Sequence, residues 1–461
     1  MALSIPDNPL GVYEPTDANP WTFAHVSHLY RRAAFGATWS TLKAGVDSSP
    51  DELVEGLLEY DAETDPFNDT LESLTGFVDI KEPRSLQNWW LHRALNTDRP
   101  MQEKMALVWH DHFATSASKV GQGEFMHRQI EMFRAKGLGN FRDLLLEVGR
   151  DPAMLIWLDG RDSKKGKPNE NYAREIMELF TLGIGNYTEQ DVKELARCFT
   201  GWSIREGAGF FNQKEFDDKE KTLFGVKGKF NDEQAVDLLL KQPAAPRFQA
   251  KKLLVEFVHP APNDQLVDTL AAEIVKQEWR MKTVMRRLLS SRIFYSDYAY
   301  RSRIKSPVEL SLGLATVMGG KIKTDFLREQ TNKMGQQLLY PPNVKGWDGN
   351  ETWINANTLI VRMNYGWHLA QTRGQDYARR GSIEAMMKLA GANTPDTVVD
   401  FFAEALLDGK IKPEVRTKLI DYIRKDENDK ARKFDLKQQG VNRIVRSMIR
   451  IVTALPEFQL A

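Results

Sequence analysis

Residues 151–203 read DPAMLIWLDGRDSKKGKPNENYAREIMELFTLGIGNYTEQDVKELARCFTGWS. Apolar residues recur at helical spacing from 172 to 180, with Asn169 suited to cap the start of that helix and the glycines at 183 and 185 suited to end it. Thr188 opens a second helix, and Asp191, three residues on, completes a capping-box pattern. The stretch therefore predicts two consecutive helices that pack together as a hairpin.

The same periodicity recurs along most of the chain, and it predicts a mainly α fold, a large multi-helix globular assembly of helical hairpins. Between residues 204 and 230 the pattern loses its helical period, and we expect at most a small β-hairpin with its turn near Asp217 and Asp218. The expected division is an extended N-terminal arm at 1–20, an N-terminal helical lobe with the candidate site at 21–230, and a C-terminal helical lobe at 231–461.

Composition narrows the possible functions. The 461 residues are 42% hydrophobic and carry no formal net charge, which argues against an electrostatic grip on nucleic acid or on an anionic membrane. The single cysteine, Cys198, excludes a disulfide framework and a cysteine-built zinc site. No signal peptide and no membrane-spanning apolar run are visible, so we expect a soluble protein that is cytoplasmic by its sequence.

The first helix of the hairpin carries charged residues at helical neighbour positions. Arg174 and Glu178 lie four residues apart and Glu175 and Glu178 three apart, so the three charged groups are expected to converge beside one turn. If they face inward, the two carboxylates would serve as ligands or as an acid and base, with Arg174 as a clamp for substrate or carboxylate. The alternative is a solvated ion pair on the surface.

Polar residues also cluster in the loop before that helix and at its start. These residues are possible ligands for a divalent cation, because carboxylate and amide oxygens suit hard cations. The alternative for Glu170 is the ordinary preference of acidic residues for the first turn of a helix. The predicted cation ligands are Asp159, Asp162, Asn169 and Glu170.

A second candidate comes from the predicted helix at 101–113. Its apolar stripe has the spacing of a buried face, and His112 lies on that face. We interpret His112 as a possible base or ligand, with a hydrogen-bonded core histidine as the alternative. His110 projects about 200° round the helix from His112, so the two rings are not expected to bind one metal ion.

An aromatic loop is predicted at 334–357. Pro341 and Pro342 and two glycine turns disfavour regular structure there, while Trp347 and Trp353 are expected to hold the loop in place. Long ordered loops often carry function, so part of this loop is a candidate pocket lining; the alternative is that the tryptophans only pin the loop to the core. The candidate lining residues are Asn343, Lys345, Trp347 and Asp348.

Several stretches resemble one bacterial family, catalogued as domain of unknown function 1800. They are WHDHFATS at 109–116, PNENYAREIMELFTLGIGNYTEQDVKELARCFTGW at 168–202, RIKSPVEL at 303–310 and YPPNVKGWDGN at 340–350. The resemblance covers essentially the whole chain and implies no particular activity. It implies a sulfatase-like companion protein as a possible partner, and it implies export for many members, whose leading signal is not seen in this chain.

Two functional hypotheses follow. The first is an enzyme of hydrolase type, metal-assisted if a cation binds, in which His112, Glu175, Glu178 and Arg174 form the catalytic group. The second is a non-catalytic binding or assembly protein, whose buried polar network is structural and whose aromatic loop at 340–353 docks a partner. The sequence lacks the GxSxG, HExxH, Walker and GxGxxG motifs, so the commonest hydrolase and nucleotide-binding mechanisms have no marker here.

Overall fold

The computed structural model describes residues 4–59, 78–319, 322–371, 383–425, 430–436 and 439–461. Within these ranges the fold is mainly α-helical, as the periodicity predicts. Residues 4–20 run without helix or strand and are joined to the body by a β-bridge between Val12 and Ser291. The helices that precede the small sheets are α1 (Phe23–Ala33), α2 (Trp39–Val46), α3 (Pro50–Leu58), α4 (Pro83–Asn96), α5 (Pro100–His112), α6 (Ala117–Val120), α7 (Gly123–Lys136), α8 (Phe141–Arg150), α9 (Pro152–Trp157), α10 (Glu170–Glu175) and α11 (Glu189–Cys198).

The β structure is confined to two short antiparallel hairpins that follow α11. β1 (Trp202–Arg205) pairs with β2 (Ala208–Phe211), and β3 (Lys221–Leu223) pairs with β4 (Val226–Gly228). The expected turn near residues 217 and 218 is wrong, because those residues lie between the two hairpins. The turns fall instead at 206–207 and 224–225, where both central residues have positive φ, as two-residue hairpin turns require.

The second half of the chain is again helical. It contains α12 (Asp232–Leu240), α13 (Ala244–Phe257), α14 (Asp264–Lys276), α15 (Met281–Leu289), α16 (Pro307–Val317), α17 (Thr324–Lys333), α18 (Ala356–Gln371), α19 (Ile383–Leu389), α20 (Pro395–Leu407), α21 (Pro413–Arg424), α22 (Gln439–Ala454) and α23 (Pro456–Gln459).

One hydrophobic cluster runs through both halves. It extends from Leu10 near the start of the described chain to Phe458 near its end, and it includes fully buried aromatic residues such as Phe113 and Phe294. The two predicted lobes therefore share apolar core, and the burial of this surface is the main stabilising contribution to the fold. Among the helices of the described ranges, none has the length and apolar character needed to cross a bilayer.

The two helices of the central hairpin begin at the predicted capping residues, but the segment between the caps contains a helix type that was not predicted. Asn169 caps α10 by accepting a hydrogen bond from the Asn171 backbone, and Thr188 and Asp191 form the predicted capping box of α11. Between them, residues Ile176–Thr181 form a π-helix, in which the hydrogen bonds span five residues instead of four. This wider turn changes which side chains share a face, and it directly affects the predicted site.

The aromatic loop is ordered, as predicted. After α17 the chain runs without regular structure to a short 3-10 turn at Asn350–Trp353, and then enters α18. Trp353 is buried, whereas Trp347 is half-buried and faces a cavity. Features of both alternatives are therefore present in the loop. Trp353 is buried in the core, and Trp347 and Trp353 both line the cavity.

Candidate functional site

A polar cavity of about 170 Å³ lies between α5, α13 and the aromatic loop. Arg303 and Ser306, from the segment that leads into α16, close another side of it. Cavities of this kind, with apolar walls and a few convergent charged groups, are the usual form of small-molecule sites. The lining residues that matter below are Asp111, His112, Lys252, Glu256, Trp347 and Trp353.

The last turn of α5 holds the aromatic loop in place through two adjacent side chains. The ring nitrogen Nε2 of His110 accepts a hydrogen bond from the Leu339 backbone N–H at 3.2 Å. The carboxylate of Asp111 accepts one from the Trp347 backbone N–H at 2.7 Å. These two contacts fix the loop against the helix and leave the other oxygen of Asp111 available to the cavity.

The third residue of this turn, His112, contacts the central hairpin. Its Nε2 lies 3.0 Å from the carbonyl oxygen of Phe180, and the amide nitrogen of Gln249 lies 2.6 Å from the same oxygen. His110 and His112 therefore point to different parts of the fold, as the 200° offset predicts. Burial holds the pKa of His112 well below its usual value and the nearby charge of Lys252 lowers it further, so the ring is neutral at pH 7.

Asp111 is the most strongly perturbed acid of the cavity. Removal from water raises its pKa to about 7, and the nearby charges of Glu256 and Asp348 raise it as well. The Trp347 N–H and the charge of Lys252 act in the opposite direction. A carboxyl group with a pKa near 7 is present in both protonation states at neutral pH, which is the property that a general acid or base needs.

Lys252 provides a positive charge beside Asp111. Desolvation lowers the pKa of its ammonium, and the charge of Lys345 lowers it further, while Asp111 opposes the shift. Within the described part of the chain, Lys252 forms no ion pair or hydrogen bond, and its ammonium lies 5.8 Å from the centre of the Phe248 ring. Its side chain retains solvent exposure, so this ammonium can meet a ligand that enters the cavity.

The charged groups at the base of the cavity pair with one another. Lys104 binds Glu256 at 2.5 Å and also binds Glu309, while Arg303 binds Glu256 at 3.2 Å and also binds Glu309. Two cations and two anions thus form a closed network that joins α5, α13 and α16. Burial alone would raise the pKa of Glu309, but Arg303 and Lys104 outweigh it and hold the pKa well below its usual range.

Arg174 forms no direct ion pair with Glu175 or Glu178 in the described part of the chain, although both side chains carry charge near it. Arg174 makes a two-pronged ion pair with Glu189, with both N···O distances at 2.7 Å, and a looser one with Glu170 at 3.7 Å. Glu178 instead accepts a hydrogen bond from the Tyr187 hydroxyl at 2.5 Å. The partners of the two side chains come from the segment that follows the π-helix: Glu189 for Arg174 and Tyr187 for Glu178.

Glu175 and Glu178 remain close enough to influence each other. Burial raises the pKa of Glu175, the charge of Glu178 raises it further, and Arg174 opposes the shift. However, neither glutamate lines the cavity that His112 lines. The structure therefore does not bring the predicted imidazole and carboxylates into one cavity.

The predicted cation ligands have other contacts or are exposed. Asp159 pairs with Lys119 at 2.8 Å, Asn169 donates its amide to the Asp159 backbone carbonyl at 3.2 Å, and Asp162 is exposed. Glu170 lies 3.7 Å from Arg174 of its own helix. In the described ranges, no group of three or more histidine, cysteine, aspartate or glutamate side chains is arranged to hold a metal ion.

Among the cavity residues that the sequence analysis missed are Asp111, Lys252 and Glu256. Asp111 lies between His110 and His112, which we considered as possible ligands. The polar HDH stretch at 110–112 is therefore a signal that could have identified it. Lys252 and Glu256 lie four residues apart on one helix and look like an ordinary exposed pair. Only the approach of α13 to α5 shows that both face the same cavity.

Comparison with known proteins places this mainly helical protein with a charged, tryptophan-walled cavity in one family. Residues 28–460 match the family described as Protein of unknown function (DUF1800). The chain therefore belongs to that family, and the resemblance read from its motifs is confirmed. No curated protein and no solved structure matches the chain.

The stretches that carry the resemblance meet at the cavity. The stretch at 109–116 supplies Asp111 and His112, and the stretch at 303–310 supplies Arg303. The stretch at 340–350 supplies Trp347, and the one at 168–202 supplies the Phe180 carbonyl that contacts His112. Four segments that are distant in sequence thus contribute to one site.

Proposed function

We propose that the protein is an enzyme of hydrolase type and that the cavity beside Asp111 is its active site. The observation that supports this proposal is the position of the Asp111 carboxyl, held by the Trp347 N–H in the cavity that Lys252 also lines, where the charge of Lys252 acts on it. A base and a cation that line the same cavity are two groups that can promote acyl transfer to water.

Asp111 is assigned the base role in place of His112. The pKa of Asp111 is raised to about 7 by burial, so its ionised form can accept a proton at neutral pH. The pKa of His112 is held well below its usual value, which makes its ring a weak base. The sequence-based assignment of His112 as a base is therefore replaced in the proposal.

The proposed reaction uses water and an ester or amide. Asp111 removes a proton from water as the water oxygen attacks the substrate carbonyl carbon, and the charge that develops on the carbonyl oxygen is stabilised by Lys252. When the bond to the leaving group breaks, Asp111 returns the proton to that group. Trp347 and Trp353 supply flat apolar walls that orient the substrate and limit the access of bulk water.

The test is hydrolysis of a panel of fluorogenic esters and amides by the purified protein. Asp111→Asn should lower kcat/KM by about 100-fold or more, which corresponds to the loss of a general base. Lys252→Met should lower kcat with a smaller effect on KM, because the charge it stabilises develops in the transition state. Asp162→Asn is the matched control and should retain full activity.

The sequence-based site remains a separate prediction with its own variant. If Glu175 acts as an acid or base, Glu175→Gln should abolish hydrolysis while Asp111→Asn should not. The opposite result supports the cavity. A bound cation is not part of the proposal, because Asp159, Asp162, Asn169 and Glu170 do not form a cluster.

A second candidate function is non-catalytic binding. It is favoured by the closed ion-pair network of Lys104, Arg303, Glu256 and Glu309, since such a network can be wholly structural. In that case the aromatic loop would dock a partner, and the sulfatase-like companion implied by the family resemblance is the partner to try first. Co-purification with that companion that fails on Trp347→Ala, together with unchanged behaviour of Asp111→Asn, would support this alternative.

A further inference from the structure

Two side-chain amides at the cavity are oriented by the backbone segment that leads into α16. The Oε1 atom of Gln336 accepts a hydrogen bond from the Val308 N–H at 2.9 Å, and the Oδ1 atom of Asn350 accepts one from the Ile304 N–H at 3.0 Å. A backbone N–H can only donate, so the oxygen of each amide faces it and the NH2 group is turned away. Both residues line the cavity.

The NH2 group of Gln336 has no acceptor within the described chain, and neither has that of Asn350. Gln336 is only 4% exposed, but solvent still reaches its unpaired Nε2 atom. Because the rest of this side chain is enclosed and the residue lines the cavity, we place that accessible surface at the cavity. Buried donors in folded proteins are nearly always paired, so the acceptor for this one must come from whatever fills the cavity.

The indole of Trp353 provides a third donor. The residue is 6% exposed and lines the cavity, and its Nε1 atom is likewise unpaired within the described chain and reached by solvent. Trp353 and Asn350 belong to the same 3-10 turn, Asn350–Trp353, so their donors come from adjoining backbone. We call the unpaired N–H groups of Gln336, Asn350 and Trp353 the donor wall.

The charges around the cavity favour an anion as the ligand of the donor wall. The cations and anions of the closed network at the cavity base balance one another, and Lys345 pairs with Asp348. Lys252 and Asp111 are the remaining charged groups of the cavity lining. Whenever Asp111 holds a proton, the positive charge of Lys252 is therefore unmatched, and a negatively charged ligand compensates it.

We propose that the donor wall binds a carboxylate group of the molecule that occupies the cavity, so that the substrate class is an acidic ester or amide. A carboxylate offers two acceptor oxygens and has no hydrogen to donate, which matches N–H groups that lack an acceptor. The inference rests on the proposed function for the reacting bond, on which Asp111 and Lys252 act. Binding of the carboxylate itself requires only the cavity.

The first experiment compares two small probes, acetate and ethylammonium, which are similar in size but carry only acceptors and only donors, respectively. In protein with 15N-labelled glutamine and asparagine side chains, acetate at pH 7 should shift the NH2 signals of Gln336 and Asn350 saturably, and ethylammonium should not. The signals are assigned by their loss in Gln336→Glu and Asn350→Asp. Equal shifts from both probes, or no saturable shift from acetate, would overturn the proposal.

The variant Gln336→Glu tests the donor directly. Glutamate keeps an oxygen for the Val308 N–H but replaces the NH2 group by a second oxygen, so acetate should bind at least about tenfold more weakly, as read from the Asn350 signal. Gln337→Glu is the matched control, because it adds the same charge at the next residue, which is exposed. Equal weakening by the two substitutions would contradict the donor role, since added charge alone would explain it.

The variant Asn350→Asp repeats this test at a half-buried position, so the inference does not depend on how Gln336→Glu folds. Acetate binding, read from the Gln336 signal, should again weaken by about tenfold or more. Asn343→Asp, at an exposed residue of the same loop, is its control and should bind acetate as the wild type does. Unchanged binding in Asn350→Asp would remove Asn350 from the donor wall and contradict the proposal.

Ester hydrolysis distinguishes this inference from the proposed reaction. The glutarate monoester and the pentanoate ester of one fluorogenic phenol have acyl chains of equal length and differ in the terminal carboxylate. The wild type should prefer the glutarate ester at least about tenfold in kcat/KM, and Gln336→Glu should remove that preference. Equal rates would contradict the inference but not the reaction. If neither ester is hydrolysed while acetate binds as expected, the proposed reaction fails and the carboxylate site stands.

Discussion

Gly346 is the position where the aromatic loop comes closest to α5. Its φ of +88° lies in the left-handed region, and a Cβ atom there would stand 2.4 Å from both the backbone oxygen and a carboxylate oxygen of Asp111. Glycine is required for both reasons, conformation and space. The contact between the Trp347 N–H and Asp111 depends on this close approach, so Gly346 sets the position of the base.

Substituting Gly346 by alanine should therefore lower both stability and activity. The left-handed conformation alone costs roughly 1–2 kcal/mol, and the collision with Asp111 should add about 1–3 kcal/mol. Gly335→Ala is the matched control, because Gly335 has a φ of +96° and open space where its Cβ would be. Chemical denaturation of both variants measures the difference in their free energies of unfolding. Equal decreases would show that the added Cβ does not collide with Asp111.

The protonation of Asp111 predicts how hydrolysis depends on pH. A base with a pKa raised to about 7 is active when ionised, so kcat/KM should rise as pH increases through about 7. At alkaline pH the rate should fall as Lys252 loses its proton, at a pH below the usual lysine value because its pKa is lowered. A pH–rate profile of the wild type checks this, and a rate that falls as pH rises through 7 would reverse the assigned role.

At the scale of elements, the ion-pair network holds three helices around the cavity. Lys104 of α5 is buried between glutamates of α13 and α16, so its loss leaves two carboxylates with one cation. Lys104→Met should destabilise the fold by about 3–5 kcal/mol, the usual cost of breaking a buried pair.

The control for that prediction is an exposed pair. Lys136 and Glu147 lie 2.6 Å apart with both side chains nearly half exposed, and solvent screens such pairs. Lys136→Met should change the denaturation midpoint far less than Lys104→Met. Similar effects for the two substitutions would mean that the cavity network contributes no more than a surface pair does.

Helix ends were predicted correctly where the sequence pattern involves only neighbouring residues. Asn169 caps α10 and Thr188 forms a capping box with Asp191, because each of these depends on neighbouring residues. The π-helix was not predicted, since one extra residue in a turn leaves an apolar pattern almost unchanged. It contains Glu178, which accepts from the Tyr187 hydroxyl and forms no ion pair with Arg174.

The candidate site was predicted less well than the fold, and the reason is distance along the chain. His112 and the tryptophans of the loop were identified separately, because each stretch has its own pattern. Lys252 has no such pattern, and its approach to Asp111 follows from how α13 packs on α5. Spacing in sequence cannot show a contact of that kind.

At the scale of the whole molecule, a buried aspartate joins distant parts of the chain. Asp408, just after α20, binds Arg31 of α1 and Arg301, each at 3.0 Å, and it also accepts from the Tyr300 hydroxyl at 2.6 Å. Burial alone would raise its pKa, but the two guanidinium groups outweigh this effect and hold the pKa well below its usual range.

The sign of that shift predicts acid sensitivity. A carboxyl group whose pKa is lowered by folding stabilises the protein fully above its unfolded pKa of about 3.9, and the contribution is lost as pH falls toward the folded value. Asp408→Asn should lower the free energy of unfolding by about 3–5 kcal/mol at pH 7 and flatten its decline in acid. The φ of +57° at this position is one that asparagine tolerates.

Asp400→Asn serves as the control for Asp408→Asn, because Asp400 pairs with Arg416 on the surface. Urea denaturation at pH 7, 5 and 3.5 measures both variants. The Asp400 variant should follow the wild type at each pH. If the free energy of unfolding of the Asp408 variant falls with decreasing pH as steeply as that of the wild type, other carboxylates cause that decrease.

The contact between Asp111 and Trp347 also bears on biosynthesis. The two residues are 236 positions apart, and at roughly 5–20 residues per second a ribosome needs on the order of 10–50 s to make the intervening chain. During that interval the turn with His110, Asp111 and His112 has been synthesised but the loop that covers it has not. During synthesis, the hydrogen bond from the Trp347 N–H to Asp111 therefore forms only after the helices between them have been made.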